Sequence, residues 1–441
     1  MLEELKKAVA RFSKLEGIVR IVTHFDADGI TAGAILATAL RRLDKSFKIT
    51  AIDQLERKNL ENLRKEDNKI LFLLDLGTAH VNELNNFEGE IFIIDHHEIS
   101  KGMEIKEKIS FINPHVDSDE ETSASALTYL FVKELDNNNS DLSSLAVLGI
   151  VGDLADQNIG KIGNLVMSDA KDITIKKNLL LFPSTRPLNK ALEFSSIYIP
   201  GVTGSSIGAM NLIREAGIKM KENNQFKTLL DLNEDELSRL LTLITLKRTD
   251  SKNIIGKIYL IKFFNHLEDA RELCALINSC GRLGYADTAI SFCMGDKKAK
   301  QVAESLYSAY KHQIISGLNW ISLHEKIEGD GYVIINAEDK IKYTIIGTLI
   351  TILSSSFVYP EGTILIGMAR TDDKRIKVSA RMVGNNGLNL KKLIEIPSRL
   401  VDGECGGHKN AAGCFIQLNK EKTFLELLQK ELRVTQLQIK I

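Results

Sequence analysis

Short, strongly apolar segments alternate with longer helical patterns through the first third of the chain. The apolar segments are Ile18–Thr23, Ile70–Leu74, Glu90–Ile94 and Ala146–Val151, and the clearest helical patterns between them are Ile30–Leu43 and Ser123–Leu135. Continuous apolar strands separated by helices are typical of a parallel sheet that is covered on both faces. The pattern therefore predicts an α/β domain built on a parallel sheet.

The pattern changes twice further along the chain. Helical periodicity covers Ser206–Ala216, Glu234–Lys247, Leu267–Ser279 and Gln301–Lys326, and strand-like segments return at Gly331–Ala337, Thr363–Arg370 and Ile376–Met382 before a final helix at Lys420–Leu432. A break at Pro183–Pro187 is typical of a linker. We predict an α/β protein with an N-terminal parallel-sheet domain (1–180), a linker (181–200), a helical middle region (201–329) and a smaller C-terminal α/β domain (330–441).

The composition is globular and the charge is balanced. The 441 residues carry 57 basic and 58 acidic side chains, a net charge of −1, so affinity for a polyanion must come from a local basic cluster. Five cysteines without a CxxC pair favour reduced thiols over a disulfide framework. No apolar run reaches the ~18 residues of a membrane span, and the N-terminus has no apolar signal core. We expect a cytoplasmic protein without a membrane partner.

Acidic and imidazole side chains follow every predicted N-terminal strand. They are His24, Asp26 and Asp28 after the first strand, Asp75 after the second, Asp95, His96 and His97 after the third, and Asp153 after the fourth. In an open parallel sheet the ligand crevice lies beyond the carboxyl ends of the strands. We therefore expect these side chains to converge at one edge of the sheet.

Such a gathering of carboxylates is unfavourable unless cations neutralise it. Six of the side chains offer oxygen or imidazole ligands and none offers a thiolate: His24, Asp26, Asp28, Asp75, His96 and Asp153. This set suits Mn²⁺, and Mg²⁺ less well, with Zn²⁺ as a further alternative. Six ligand residues suit two ions, which Asp75 from a central strand would bridge. A single acid at a strand end is commonly a helix cap or turn residue, an interpretation we keep for Asp156, but four such endings favour metal binding.

Four motifs carry a resemblance to a known family. T-H-F-D-A-D-G-I-T-A-G, L-L-D-L-G, I-D-H-H-E and G-I-V-G-D resemble the motifs of the DHH phosphoesterases, specifically the RecJ-type nucleases. The resemblance implies that His24, Asp26 and Asp75 hold one metal ion, and that Asp28, Asp75, His96 and Asp153 hold the other. It further implies that His97 faces the scissile phosphate and that Asp95 orients the histidines.

A second group of candidate functional residues lies near the C-terminus. Ile376–Met382 alternates strictly, so Lys377, Ser379 and Arg381 share one face of a strand, which by itself is also typical of a solvated edge strand. The glycine-rich segment that follows, Gly403–Gly413, allows backbone N–H groups to approach a phosphate. S-A-R followed by G-G-H-K-N-A-A-G resembles the DHH-associated substrate-binding domain. The residues predicted to bind substrate are Ser379, Arg381, Gly406, Gly407, His408 and Lys409.

These observations lead to a functional hypothesis with two alternatives. The resemblance implies a two-metal RecJ-like exonuclease that hydrolyses single-stranded DNA or RNA, in repair or replication. The middle-region motifs P-G-V-T-G-S-S-I-G-A and N-S-C-G-R-L-G are similar to the archaeal RecJ-like branch, which makes a non-catalytic replication scaffold with a GINS-like partner one alternative. Arg282 in the second motif would contact a phosphate or form a tight turn. The other alternative is a phosphodiesterase for small substrates such as short oligoribonucleotides.

Overall fold

The protein is described here by a computed structural model that covers residues 1–66, 69–99, 102–118, 120–181, 183–195, 197, 199–248, 254–356, 358–384 and 387–440. Phe182, Ser196 and Tyr198 of the predicted linker lie outside these described residues. Within the described part of the chain, no helix combines the length and the apolar character needed to cross a membrane. All five cysteines are free thiols.

The secondary structure consists of helices and strands throughout the chain. The helices are α1 (Leu2–Phe12), α2 (Ala27–Arg42), α3 (Arg57–Lys65), α4 (Val81–Leu84), α5 (Ala124–Leu135), α6 (Ser143–Gly152), α7 (Lys161–Asp169), α8 (Leu188–Glu193), α9 (Ser206–Glu215), α10 (Glu234–Lys247), α11 (Ala270–Arg282), α12 (Ala286–Cys293), α13 (Lys297–Leu323), α14 (Tyr343–Ser355), α15 (Leu390–Arg399) and α16 (Glu421–Lys440). The strands are β1 (Val19–His24), β2 (Phe47–Ile52), β3 (Ile70–Leu74), β4 (Glu90–Ile94), β5 (Ile109–Ile112), β6 (Ile173–Leu179), β7 (Lys221–Glu222), β8 (Gln225–Phe226), β9 (Ile255–Phe263), β10 (His266–Asp269), β11 (Ile327–Gly329), β12 (Tyr332–Asn336), β13 (Ile364–Arg370), β14 (Arg375–Met382), β15 (Glu404–His408) and β16 (Ala411–Gln417).

The chain forms two compact units that interleave along the sequence. Unit 1 comprises residues 1–191, 226–232 and 254–307, and unit 2 comprises residues 192–225, 233–253 and 308–441. Helices α11 and α12, from the predicted middle region, therefore belong to unit 1 together with the N-terminal sheet. The domain boundaries predicted from the sequence stay a prediction.

Unit 1 is organised around a five-stranded parallel sheet with the order β2-β1-β3-β4-β5. Successive residues of a strand face opposite sides of a sheet. Accordingly, Phe72 and Leu74 pack in a core with α1, α2, α5 and α6, whereas Leu71 and Leu73 pack in a second core with α3 and α4. Both faces are buried, which confirms the predicted fold class. The strand order reverses between β1 and β3, and a crevice for ligands forms at such a point.

Unit 2 contains a mixed six-stranded sheet with the order β11-β12-β13-β14-β16-β15. Ile376, Val378 and Ala380 of β14 pack in a core that also contains residues of α15 and α16. The opposite face of β14 is covered by α14, so Ser379 is only 5% exposed. The alternation predicted for this strand is therefore correct. On its polar face Ser379 is covered by the helix, whereas Lys377 and Arg381 are only half-buried.

One predicted strand was wrong, and other strands were not predicted. Ala146–Val151, predicted as the fourth strand, lies within α6, where the apolar run is buried on all sides by α2, α5 and α11. Periodicity alone cannot distinguish a fully buried helix from a buried strand. The prediction also omitted the short strands β2 and β5 and the long strand β9, which lies inside the predicted helical region.

The glycine-rich segment near the C-terminus is also more ordered than predicted. It forms the hairpin of β15 and β16, which the sequence did not predict, and in this hairpin Gly406 pairs with Gly413 and Gly407 with Ala412. Gly407 has φ +110°, and a Cβ there would lie 2.4 Å from the carbonyl oxygen of Ala411. Glycine is needed at this position because only its backbone tolerates both the conformation and the close approach.

Candidate metal centre

The predicted ligands on the central strands lie at the point where the strand order reverses. His24 is the last residue of β1, Asp75 directly follows β3, and Asp95, His96 and His97 follow β4. The backbone of Asp75 is left-handed, with φ 59°, while its N–H still donates to the carbonyl of Ile94. A non-glycine residue in this region is strained, and such strain persists where the surrounding structure enforces it, often at functional sites.

Two further carboxylates come from the start of α2. Asp26 is the N-cap residue of this helix and its side chain accepts a hydrogen bond from the N–H of Gly29, 3.0 Å away. Asp28 is only 1% exposed and accepts hydrogen bonds from the N–H groups of Ala124 and Ser125, at 2.7 and 3.0 Å. These donors are N–H groups in the first turn of α5, which have no partner within the helix and which favour a negative charge.

Asp153 reaches the same place from a helix end rather than from the predicted strand end. It follows α6 as its C-cap residue. The C-terminal end of a helix carries a partial negative charge, so a carboxylate there is unfavourable without a nearby cation. Asp153 therefore lies beside the other predicted ligands, but it follows a helix and not the predicted strand, and its role as a metal ligand stays a prediction.

The structure brings all six predicted ligand residues together around Asp75. Oδ2 of Asp75 lies 3.2 Å from Nδ1 of His24, and Oδ1 lies 3.2 Å from Nε2 of His96. Asp26 is 3.0 Å from His24, and Asp153 is 3.5 Å from Nδ1 of His96. Ligand atoms within 4.8 Å of one another form three groups: His24, Asp26 and Asp75; Asp28, His96 and Asp153; and Asp75, His96 and His97.

The electrostatics of this cluster fit a site for cations. Burial and the charge of Asp75 raise the pKa of Asp28 to about 7. Burial and the same neighbour raise the pKa of Asp153 to about 6. Burial opposes protonation of His24 and His96, but the adjacent carboxylates raise the pKa of both imidazoles well above the ordinary value. The donors are hard oxygens and imidazoles without thiolate, so divalent cations such as Mn²⁺ or Mg²⁺ fit them.

Asp95 and His97 form a hydrogen-bonded pair at the edge of this cluster. Asp95 is 1% exposed; one of its oxygens accepts from Nδ1 of His97 at 2.6 Å and from the N–H of His96 at 2.8 Å, and the other accepts from the N–H of Thr78 at 3.0 Å. The hydrogen bond from Nδ1 raises the pKa of His97. Because Nδ1 is engaged, Nε2 of the 60%-exposed His97 side chain is free to contact a ligand.

The predicted substrate residues of unit 2 lie on β14 and on the hairpin. Nε of Arg381 donates to Oγ1 of Thr351, 3.1 Å away on α14, and Nη1 donates to its own strand at the carbonyl of Ala380. Ser379 pairs with Gly413 on β16. Gly406, Gly407 and His408 belong to β15, and Lys409 lies exposed in the turn between β15 and β16. Their predicted role in substrate binding remains a prediction.

The sequence did not predict that Asn278, far away along the chain, supports the cluster. Asn278 on α11 accepts a hydrogen bond from the N–H of Ala27, between Asp26 and Asp28, at 2.8 Å. Asn278 lies in the same motif as Arg282, N-S-C-G-R-L-G, for which the predicted functional residue was Arg282. No spacing rule links Asn278 to the first motif, because the two are 251 residues apart in the chain.

Comparisons with known proteins agree with this architecture. Family models match residues 18–150 (DHH family, N-terminal domain), 181–255 (DHH-CID domain) and 330–433 (DHHA1 domain). An uncharacterized protein of Methanocaldococcus jannaschii is 27% identical over 452 residues, which cover 98% of each protein.

Solved structures share the fold at low sequence identity. RecJ from Thermus thermophilus in complex with Mn²⁺ is similar with a TM-score of 0.62 and 16% identity over 98% of this chain, which spans 55% of the length of that RecJ chain. CDC45 from Entamoeba histolytica is similar with a TM-score of 0.64 and 13% identity, covering 97% of this chain and 98% of CDC45. The fold and site define an α/β protein of RecJ-like architecture with a dense cluster of carboxylates and imidazoles. The chain belongs to the DHH family.

Proposed function

We propose that this protein is a two-metal phosphodiesterase, a RecJ-like exonuclease that degrades single-stranded DNA or RNA to nucleoside monophosphates. The observation that supports it most is the position of Asp75, whose two oxygens face His24 on one side and His96 on the other at 3.2 Å. A carboxylate placed in this way is suited to bridging two ions. His24 and Asp26 would complete one ligand set, and Asp28, His96 and Asp153 the other.

Both the bound ions and the residues of the chain would contribute to catalysis. Bound Mn²⁺ or Mg²⁺ would supply Lewis-acid stabilisation of the charge that develops on a phosphodiester. Asp95 fixes the ring of His97 through Nδ1. His97 would then donate a hydrogen bond from Nε2 to a phosphate or leaving oxygen, where it opposes the developing negative charge. Ser379 and Arg381, with Gly406, Gly407, His408 and Lys409, would bind the phosphate backbone of the strand.

The main alternative is a scaffold in a replication complex that binds a GINS-like partner without hydrolysis. The similarity of fold to CDC45 fits this alternative. The complete set of carboxylates and imidazoles around Asp75 favours catalysis, because a scaffold gains nothing from a strained and mutually repelling cluster. The two roles are compatible within one protein. A third candidate, a phosphodiesterase for short oligoribonucleotides, differs only in the length of its substrate.

A substrate panel tests the proposal and separates the alternatives. The purified protein is incubated with Mn²⁺ or Mg²⁺ and end-labelled single-stranded DNA, single-stranded RNA, a dinucleotide or pyrophosphate. We expect progressive release of mononucleotides from the long strands and complete inhibition by excess chelator, reversed by added Mn²⁺. Hydrolysis confined to the dinucleotide would favour the small-substrate alternative, and no hydrolysis with any metal would favour the scaffold.

A pair of matched variants ties the activity to the site. Asp75→Asn should abolish hydrolysis while the circular dichroism spectrum stays native, because the change keeps the shape and removes the charge. Asp156→Asn, in a half-buried acid outside the ligand groups, is the control and should retain activity. Wild-type turnover by Asp75→Asn would rule out the bridging role.

A further inference from the structure

Helix α11 lies directly against the turn that carries Asp26 and Asp28. Oδ1 of Asn278 accepts a hydrogen bond from the N–H of Ala27, the first residue of α2, at 2.8 Å. The first N–H groups of a helix have no partner within the helix and need one from elsewhere. Asn278 supplies that partner to Ala27, which lies between Asp26 and Asp28 in the chain.

At Gly281 the backbone of α11 lies so close to the same turn that there is no space for a side chain. A Cβ on Gly281 would lie 2.0 Å from the carbonyl oxygen of Phe25 and 2.8 Å from its ring. Phe25 stands between His24 and Asp26, and its ring also packs on His24 with centroids 4.9 Å apart. Asn278 and Gly281 are three residues apart and therefore lie on one face of the helix.

The same face of α11 also contacts the element that carries Asp153. Sγ of Cys274, four residues before Asn278, donates to the carbonyl of Leu148 on α6 at 3.1 Å. A Cβ on Gly152 would lie 3.5 Å from that sulfur and 2.8 Å from Cβ of Ala27. One face of α11 thus bears on both α2 and α6, the helices whose ends provide Asp26, Asp28 and Asp153.

We propose that α11 is part of the metal centre and that Asn278 is a positioning residue for it. The hydrogen bond to Ala27 fixes the turn so that Asp26 points into the ligand group of His24 while Asp28 points into the ligand group of His96. Without this acceptor the two carboxylates lose their fixed separation. The proposal rests on the metal centre of the proposed function and is independent of the substrate.

The size of the expected loss in metal affinity follows from other residues that orient metal ligands. Removing such a partner typically lowers metal affinity by about 10–100-fold. Asn278 holds a backbone N–H beside the ligands rather than a ligand atom itself, so we expect the lower end, about 10-fold. A residue that only caps a helix would lower the melting temperature without changing the affinity for metal.

The test measures Mn²⁺ binding to the full-length metal-free protein by isothermal titration calorimetry, with free Mn²⁺ followed by electron paramagnetic resonance. Asn278→Ala removes the acceptor, and Asn278→Asp keeps an oxygen at the same position. Asn389→Ala is the matched control, because Asn389 likewise caps a helix, α15, by accepting from the N–H of Lys392 at 3.1 Å. Melting temperatures of all four proteins are recorded without metal.

We expect Mn²⁺ affinity to fall about 10-fold in Asn278→Ala, to recover in Asn278→Asp and to stay at the wild-type value in Asn389→Ala. Wild-type affinity in Asn278→Ala would overturn the positioning role, as would an equal loss in the alanine and aspartate variants. If the wild-type protein itself binds no Mn²⁺, the proposed function fails, which is a result distinct from failure of the positioning role.

Discussion

A single methyl group at Gly149 of α6 should disturb the candidate metal centre, because the neighbouring side chains leave no space for a Cβ there. A Cβ at this position would lie 1.8 Å from Oγ of Ser125 and 2.4 Å from Oδ1 of Asp28. Carbon contacts are favourable near 3.5–4.0 Å, so Gly149→Ala requires displacements of about 1–2 Å. The groups displaced are the buried carboxylate of Asp28 and the hydroxyl of Ser125, which lies at the start of α5.

Two opposing terms set the stability of Gly149→Ala. Overpacking a buried site costs about 1–3 kcal/mol, and this clash belongs at the upper end. Alanine regains up to about 1 kcal/mol over glycine within a helix. We expect a net loss of about 2 kcal/mol, which in a unit of this size lowers the melting temperature by roughly 4–8 °C. Mn²⁺ affinity should also fall about 10-fold, since Asp28 is moved from its ligand group.

The assays are thermal unfolding of the metal-free protein and calorimetric titration with Mn²⁺. Gly163→Ala on α7 is the control, because a Cβ there meets only the half-buried side chain of Ile159, at 2.8 and 3.8 Å. The control should change the melting temperature by less than about 2 °C and leave Mn²⁺ affinity intact. If Gly149→Ala is as stable as the wild type and binds Mn²⁺ equally well, then the close packing of α6 does not hold Asp28 in its ligand group.

Two other predictions concern residues that would contact the substrate. His97→Ala should lower kcat by about 10²–10⁴-fold with Mn²⁺ affinity unchanged, because His97 is expected to act on the phosphate; a parallel loss of Mn²⁺ affinity would instead make His97 a metal ligand. Arg381→Ala should weaken binding of single-stranded DNA and reduce the slope of log K against log salt by about 0.7, the value for one lost phosphate contact. Lys391→Ala, an exposed lysine on α15, is the control, and an equal effect of both variants would argue against a specific contact by Arg381.

The sequence was sufficient to predict the parallel sheet and the gathering of carboxylates and histidines. Strand ends in such a sheet meet at one edge by geometry, so residue types at those ends predict the cluster without knowledge of the packing. His24, Asp75 and His96 could be placed in this way. Asp153 was placed at the same edge as the residue after a fourth predicted strand. That segment is a helix, which the pattern could not reveal because a run buried on all sides has no informative period.

The parts that could not be predicted depend on contacts between distant segments. The hydrogen bond from Ala27 to Asn278 and the close approach at Gly281 arise from the docking of α11, which no local pattern encodes. The hairpin of β15 and β16 was missed because glycines are poor strand formers, and here they are retained for the close approach of paired backbones. In both cases tertiary packing outweighs local preference.

The interleaving of unit 1 has a consequence for how the protein is made. Chains emerge from the ribosome with the N-terminal part first, and pairings between distant segments must wait for the later one. Strand β6 pairs with β9, and the N–H of Ala27 at the start of α2 donates to Asn278 on α11, so the cluster of carboxylates and imidazoles lacks this support until α11, which ends at Arg282, has been synthesised. A truncated chain that ends at Ala191 would expose the apolar surfaces that α11 and α12 cover. Such a fragment should aggregate during translation rather than accumulate as a smaller, metal-competent protein.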